Sequence, residues 1–357
     1  MGDAVPTPAL EDRQPSPNLE RYSRQTLFMP MGRSGQQRLA AAHAAVVGCG
    51  ATGAAAAALL ARAGVGRLTV LDRDFVEWSN LQRQLLFTEA DAAEALPKAE
   101  AARRRLKEIN ADVQVTAHVA DLTPGNIDAL LGAADILLDG TDNFETRYLL
   151  NDFAVERGTP WIYAAAIGSY AATMNIVPGT AENGTACLAC LFPEPPGGTV
   201  ETCDTAGILN TAVNVAASLQ VTEALKYLSG NAAAMRRTLW SMDVWTGEHA
   251  EIATGRTRTG CRVCGDRDFV HLRGEGRPHI TLCGRNSVQI HEHARPIDFE
   301  SLAARLQPHG PVRFNGLMLR FQHGEHTLNV FADGRTVVQG TSDAARARTL
   351  YARFIGS

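Results

Sequence analysis

No apolar run in this chain is long enough to cross a bilayer; the alanine- and leucine-rich stretch 54–63 is interrupted by Arg62. Charge of one sign is also scarce. A net charge of −4 argues against an electrostatic nucleic-acid binder. No G-x-x-x-x-G-K-[ST] occurs, which excludes a P-loop NTPase. The seven cysteines include two C-x-x-C pairs and suit a metal site in a reducing compartment, such as the cytoplasm, better than a disulfide framework. Residues 1–18 carry four prolines and mixed charge without an apolar core, so they read as a disordered tail rather than a signal peptide. What remains is a globular composition in 357 residues, room for one large domain and a smaller one.

The most informative stretch runs from Ala44 to Asp74. An apolar run (Ala44–Val47) leads into Gly48-Cys-Gly50-Ala-Thr-Gly53, then an alanine-rich helical segment, then a second apolar run that ends at Asp72. In such a strand–turn–helix unit the first glycine makes the turn and the second admits a phosphate close to the backbone. The third lets helix and strand pack tightly, and the helix N-terminus offers free N–H groups to the anion. Asp72 stands where a carboxylate can accept ribose hydroxyls. This is a nucleotide site.

Strand and helix signals then alternate through residue 166, which predicts a doubly wound, Rossmann-like α/β fold with a mostly parallel sheet. Asp74 and the polar loop Asn80-Leu-Gln-Arg83-Gln84 follow the second strand. A helix predicted over 97–110 opens with Lys98, where the helix dipole disfavours a cation unless an anion lies nearby. The buried strand 134–139 runs into Gly140-Thr-Asp142-Asn143, at the end of a strand that faces the ligand crevice in such sheets. Upstream, Arg21 and Arg24 in RYSRQ read on their own as surface charges.

Past residue 166 the strands 171–177 and 238–244 suggest an antiparallel extension, with a long helix at 210–228. Cys187, Cys190, Cys261 and Cys264 supply the four thiolates that a tetrahedral structural zinc requires, although the pairs stand 71 residues apart. Disulfides or free thiols are the other reading. Cys203 follows a Pro/Gly-rich loop and reads either as a reactive loop thiol or as an incidental one, while Cys49 and Cys283 read as packed residues. Residues 285–357 look like a separate α-β-β-β-α module: helix 297–306, strand 312–321, a hairpin turned by Ala332-Asp-Gly-Arg335, and a final helix capped by Ser342. His291, His293, His323 and His326 read as surface residues.

Taken together, RYSRQ, GCGATG, LDRDFVEWSNLQRQ, ALPK, GTDN, the paired C-x-x-C and Cys203 after CLFPEPP resemble the ThiF/MoeB family over about residues 20–265. These are bacterial relatives of ubiquitin-activating enzymes. The resemblance implies an adenylating domain over 19–270 that uses ATP, Mg2+ and a Zn2+ held by the four cysteines. It implies that Gly48, Gly50 and Gly53 form the nucleotide turn, that Asp72 and Asp74 serve the ribose end, and that Asn80, Arg83 and Lys98 engage the triphosphate. Arg24 matches an arginine that reaches the ATP of the neighbouring subunit in a homodimer, and Asp142 matches a magnesium-holding aspartate. Cys203 matches a cysteine that can bond through sulfur to the carrier's C-terminus. The implied partners are a ubiquitin-like sulfur carrier ending in Gly-Gly and a cysteine desulfurase as sulfur donor. The extension with CGR, ADGR and LYARFIG tilts the reading to the thiamine branch over molybdopterin or tRNA thiolation. One departure is Ala51-Thr52, where many members carry Gly-Leu. An NAD-dependent dehydrogenase built on the same glycine turn, and a non-catalytic carrier scaffold, are the readings from other classes.

Overall fold

A computed structural model describes residues 20–179, 183–194, 203–275, 280–283, 286–290 and 297–356. The expected tail 1–18 lies outside them, as do His291 and His293. The expected parallel sheet is present: β1 (His43–Val47), β2 (Arg67–Asp72), β3 (Gln114–Val119), β4 (Ile136–Asp139) and β5 (Trp161–Ile167) lie in the order β3-β2-β1-β4-β5. β5 then pairs antiparallel with β6 (Tyr170–Ile176), and β7 (Thr238–Asp243) and β8 (His249–Ala253) continue outward. The antiparallel extension predicted from 171–177 and 238–244 is therefore real. β8 escaped prediction because all five of its residues are exposed and leave no burial pattern.

β1 sits at the centre, and its alternation explains the two-faced core. Ala44 and Val46 enter a core with the helices α1 (Gly32–Ala41), α2 (Ala51–Ala63), α3 (Lys98–Ile109) and the expected long helix, here labelled by its bounds Asn210–Leu228. Ala45 and Val47 enter the opposite core with α4 (Ile127–Leu131) and α5 (Phe144–Arg157). Successive strand residues face opposite sides, so a strand covered on both faces must be apolar throughout. α2 presents Ala54, Ala55, Ala56 and Ala61 to Ala217, Val221 and Ala224 of the long helix, now α6; such small side chains allow close helix packing.

The C-terminal part is larger than α-β-β-β-α. Six strands order as β11-β12-β13-β14-β10-β9, with β9 at Ile280–Cys283 and β10 at Ser287–Ile290. The single strand predicted over 312–321 is a hairpin, β11 (Val312–Phe314) and β12 (Met318–His323), broken at Asn315-Gly316. β13 (His326–Phe331) and β14 (Thr336–Gln339) form the predicted hairpin, and α7 (Phe299–Leu306) and α8 (Ala344–Phe354) complete the unit. Its own core holds Leu302, Phe321, Leu328, Val338 and Phe354. Asp343, not Ser342, caps α8: its Oδ1 accepts both the Ala345 and the Arg346 amides. No helix of the described residues is long and apolar enough to cross a membrane.

Candidate active site

The site lies where the crossover direction reverses, between β1 and β4, at the strand ends. Gly48 leaves β1 at φ +83°, a conformation natural only to glycine, and its amide donates to the Leu71 carbonyl at 2.8 Å. The loop after β4 presses on this turn. A Cβ on Gly53 would lie 1.8 Å from the Gly48 carbonyl oxygen, and one on Gly140 would lie 2.2 Å from the same atom. Gly50 caps α2 and is much less confined, so its backbone stays approachable while α2's first amides face the crevice. Ala51-Thr52 opens that helix without disturbing the framing glycines.

Asp72 ends β2 and is nearly buried. Its two oxygens accept the Cys49 amide at 2.6 Å and the Asp74 amide at 2.7 Å, which ties the glycine turn to the tip of β2. Burial pushes its carboxyl up and Lys98 opposes the rise. Burial also disfavours charge on Asp74, but Lys98, Arg73 and Arg335 outweigh it and hold that carboxyl at about 2. Lys98 is the first residue of α3 and is itself buried; its Nζ stands 3.4 Å from Asp74 Oδ2. Burial lowers its affinity for a proton, yet Asp74, Asp72, Asp142 and Glu77 reverse that and hold the ammonium charged. A carboxylate thus supplies the anion that a lysine at a helix start requires.

Asp142 is exposed and acts electrostatically on both Lys98 and Arg147. The floor beneath it was missed in the sequence. Arg147 of α5 donates to Asp139 Oδ2 at 2.9 Å and to the carbonyls of Thr141 and Ala164 at 2.8 and 3.0 Å. Gln220 of α6 donates to the Asp139 and Ile162 carbonyls. These bonds fix the backbone under Gly140-Thr-Asp142; the only signal was Asp139, a charge at the end of a buried apolar strand. Burial raises the Cys49 thiol's pKa, which keeps it an inert packed group.

Not every expected residue converges. Asn80 is buried, and its Oδ1 accepts the Glu77 amide at 3.2 Å, fixing the loop after β2. Arg83 is half-exposed and donates to the Ser79 carbonyl at 2.7 Å. Arg24 lies elsewhere. Its neighbour Gln25 is anchored to the Ala63 carbonyl, at the C-terminal end of α2, while the glycine turn is at the N-terminal end. Thirteen helical residues separate those ends by about 20 Å. Arg24 is exposed beside Leu27, Phe28 and Met29, themselves 70, 64 and 90 % exposed.

The four knuckle cysteines do converge. Their sulfurs all lie within 4.8 Å of one another, with close pairs at 3.8, 3.6 and 3.4 Å. Four Zn–S bonds in a tetrahedron would separate sulfurs by about 3.8 Å, so the set fits zinc. Asn151 Oδ1 accepts the Leu188 amide and Tyr148 donates to the Phe192 carbonyl, fastening the knuckle to α5. A closed four-sulfur set leaves no position for substrate, and its role is structural. Among the described residues no other His, Cys, Asp and Glu cluster has metal-holding geometry. Cys203 is not in an open loop: it begins the short helical turn Cys203–Ala206, and its side chain lies outside the described atoms.

Residues 22–263 match the model of the ThiF family. The chain is 46 % identical over 340 residues to the sulfur carrier protein ThiS adenylyltransferase of Bacillus subtilis, covering 94 % of this chain and 99 % of that one. It is 39 % identical over 251 residues to the sulfur carrier protein adenylyltransferase of Thermus thermophilus, covering 70 % and 91 %. The crystal structure of E. coli MccB with ATP shares the fold, with a TM-score of 0.59 at 23 % identity over 69 % of this chain and 74 % of that one. Family match and site geometry agree, and the chain belongs to the ThiF family.

Proposed function

We propose that this protein uses ATP to adenylate the C-terminal glycine carboxylate of a ubiquitin-like sulfur carrier and releases pyrophosphate. The observation that carries this reading is the joined pair of features at the β1–β4 switch: a glycine turn latched to Asp72 at the tip of β2, with the buried, charged Lys98 beside it. Relatives described as sulfur carrier protein adenylyltransferases, along nearly the full chain in one case, support it.

The carrier's carboxylate, ionised at pH 7, attacks the α-phosphorus; a C–O–P bond forms as the bond to the β-phosphate oxygen breaks, and pyrophosphate leaves with the electron pair. No general base is needed. The chain supplies positive charge and position: Lys98, Arg83 and Asn80 on the phosphates, α2's amides on the turn side, and Asp72 with Asp74 at the nucleoside end. Asp142 would hold magnesium, whose charge on the phosphates aids departure of the leaving group. Arg24, some 20 Å from its own turn, serves the site of a second copy, and Leu27-Phe28-Met29 form part of that homodimer contact.

In this reading the units are an adenylating domain over 19–270 and a C-terminal module that starts earlier than the expected 285, since β9 (Ile280–Cys283) is one of its strands, and extends to 357. The enzyme works in the cytoplasm, in the thiamine branch, with a cysteine desulfurase as sulfur source. The Cys203 thiol then loses its proton to solvent and attacks the acyl-adenylate carbonyl; a C–S bond forms as the C–O bond to AMP breaks, and AMP leaves: Cys203→Ser leaves pyrophosphate exchange intact and removes the sulfur-linked carrier adduct seen by intact-mass spectrometry. Loss of exchange in that variant would refute the assignment. The reading as a whole is tested by magnesium-dependent ATP–pyrophosphate exchange with small Gly-Gly-ending proteins, and nicotinamide turnover without ATP use would replace it with the dehydrogenase.

A further inference from the structure

The six-stranded C-terminal sheet lies outside the family match, which ends at residue 263. Among the described residues, three of its side chains bond to the segment between Asp72 and Lys98, at Arg73, Glu77 and Glu94. Arg335, in the turn between β13 and β14, is 0 % exposed. Its Nη2 donates to the Arg73 carbonyl at 2.6 Å across 262 residues of sequence. Its Nη1 reaches Gln289 Oε1 at 3.4 Å, and its guanidinium lies 3.7 Å over the Phe331 ring.

A buried arginine is a costly way to hold two chain segments together unless its charge and fork geometry are used. Here the charge faces Asp74 and Asp121 as well as Asp333. The bond to Arg73 fixes the peptide between Asp72, which latches the glycine turn, and Asp74, which pairs with Lys98. Flanking contacts reach the same segment and the loop after β3. Gln339 donates to Glu77 Oε1 at 3.1 Å and Gln289 to Asp121 Oδ2 at 3.5 Å. Met318, Phe331 and Val337 pack on Phe75 and Ala95. Relatives such as the Thermus thermophilus protein, matched over 70 % of this chain, show that the adenylating fold occurs in shorter chains.

We infer that Arg335 is a positioning residue for the nucleotide: through the Arg73 carbonyl it sets the Asp72–Asp74–Lys98 geometry that receives ATP. The inference rests on the adenylation reading above. Misplacement of a binding group by about 1 Å can cost up to 10²-fold, so loss of this brace should weaken ATP use without touching a reacting atom.

The test uses the full chain. Arg335→Met should bind ATP, titrated calorimetrically with magnesium, at least ~10-fold more weakly. In pyrophosphate exchange its KM for ATP should rise while kcat at saturating ATP stays within about threefold. Arg335→Lys, which keeps one donor, should recover part of the loss. Should Arg335→Met fail to fold, Gln339→Ala decides, because it removes the flanking bond to Glu77 and leaves the partners of Arg335 in place; it should weaken ATP by a few-fold or more. Unchanged ATP affinity in the folded variants, while the wild-type chain binds ATP, would overturn the positioning role and leave adenylation standing. A wild-type chain without ATP affinity would overturn both.

Discussion

Lys98 Nζ stands 3.4 Å from Asp74 Oδ2 at the first turn of α3, and Asp72, Asp142 and Glu77 act on the same ammonium. One buried cation is thus shared by four carboxylates beside a helix N-terminus that itself attracts anions. Triphosphate arriving there meets a charge already held in place, so no reorganisation is required at the moment of reaction.

Removing that charge tests the electrostatic account. Lys98→Ala should lower pyrophosphate exchange by about 10²–10³, the usual cost of losing one preorganised donor. A thermal scan of the same sample separates this from misfolding, since the variant also leaves Asp72 and Asp74 unbalanced. A folded variant that keeps its activity within tenfold would contradict the role.

The four cysteines should bind one zinc per chain. Cys190→Ser should lose the metal by elemental analysis and lower the thermal midpoint on the order of 10 °C, because the site ties residues 261–264 to the middle of the chain. Well-folded wild-type protein without zinc would end the assignment.

Arg24 and the glycine turn occupy opposite ends of α2, and the proposed function gives the arginine to a second copy's site. Arg24→Ala and Lys98→Ala should each be inactive alone. Mixed after subunit exchange, they should recover about a quarter of wild-type exchange, since half of the dimers carry one intact site of two. No recovery in verified mixed dimers would contradict action across the dimer, and an active Arg24→Ala would place Arg24 outside the active site.

Asp152 supplies a pH test. Its Oδ2 accepts the His271 amide at 2.9 Å, while its buried Oδ1 has no hydrogen-bond partner, and burial pushes the carboxyl up from 3.8 to about 6. A raised folded value favours the folded state below pH 3.8, and that contribution is lost as pH rises through about 6. Asp152→Asn should therefore gain on the wild type between pH 4 and pH 7, by about 1–3 kcal/mol in denaturant titrations. A pH-independent difference would show that the carboxyl titrates normally.

How much of this could be read beforehand follows from sequence separation. Gly48 and Asp72 were legible because a strand–turn–helix–strand unit places them by local spacing, and Lys98 because it opens the helix after Pro97. The zinc ligands were legible because a C-x-x-C pair declares itself even across a 71-residue gap. Gly140, Arg147 and Gln220 were not, since their meeting with the turn depends on β4 lying beside β1 and on α6 crossing the sheet. Arg335 looked like part of a hairpin turn, which it is; the Arg73 carbonyl it serves lies in another sheet's loop. β11 and β12 merged into one expected strand because Asn315-Gly316, the turn between them, is flanked by apolar residues on both sides.

The most direct measurement of the central claim is the exchange of labelled pyrophosphate into ATP, with magnesium, driven by a sulfur carrier with an intact Gly-Gly terminus and by the same carrier lacking its last glycine. The account predicts exchange with the intact carrier and none with the truncated one. Exchange independent of that terminal carboxylate, or none with any Gly-Gly-ending carrier of the same cell, would contradict it.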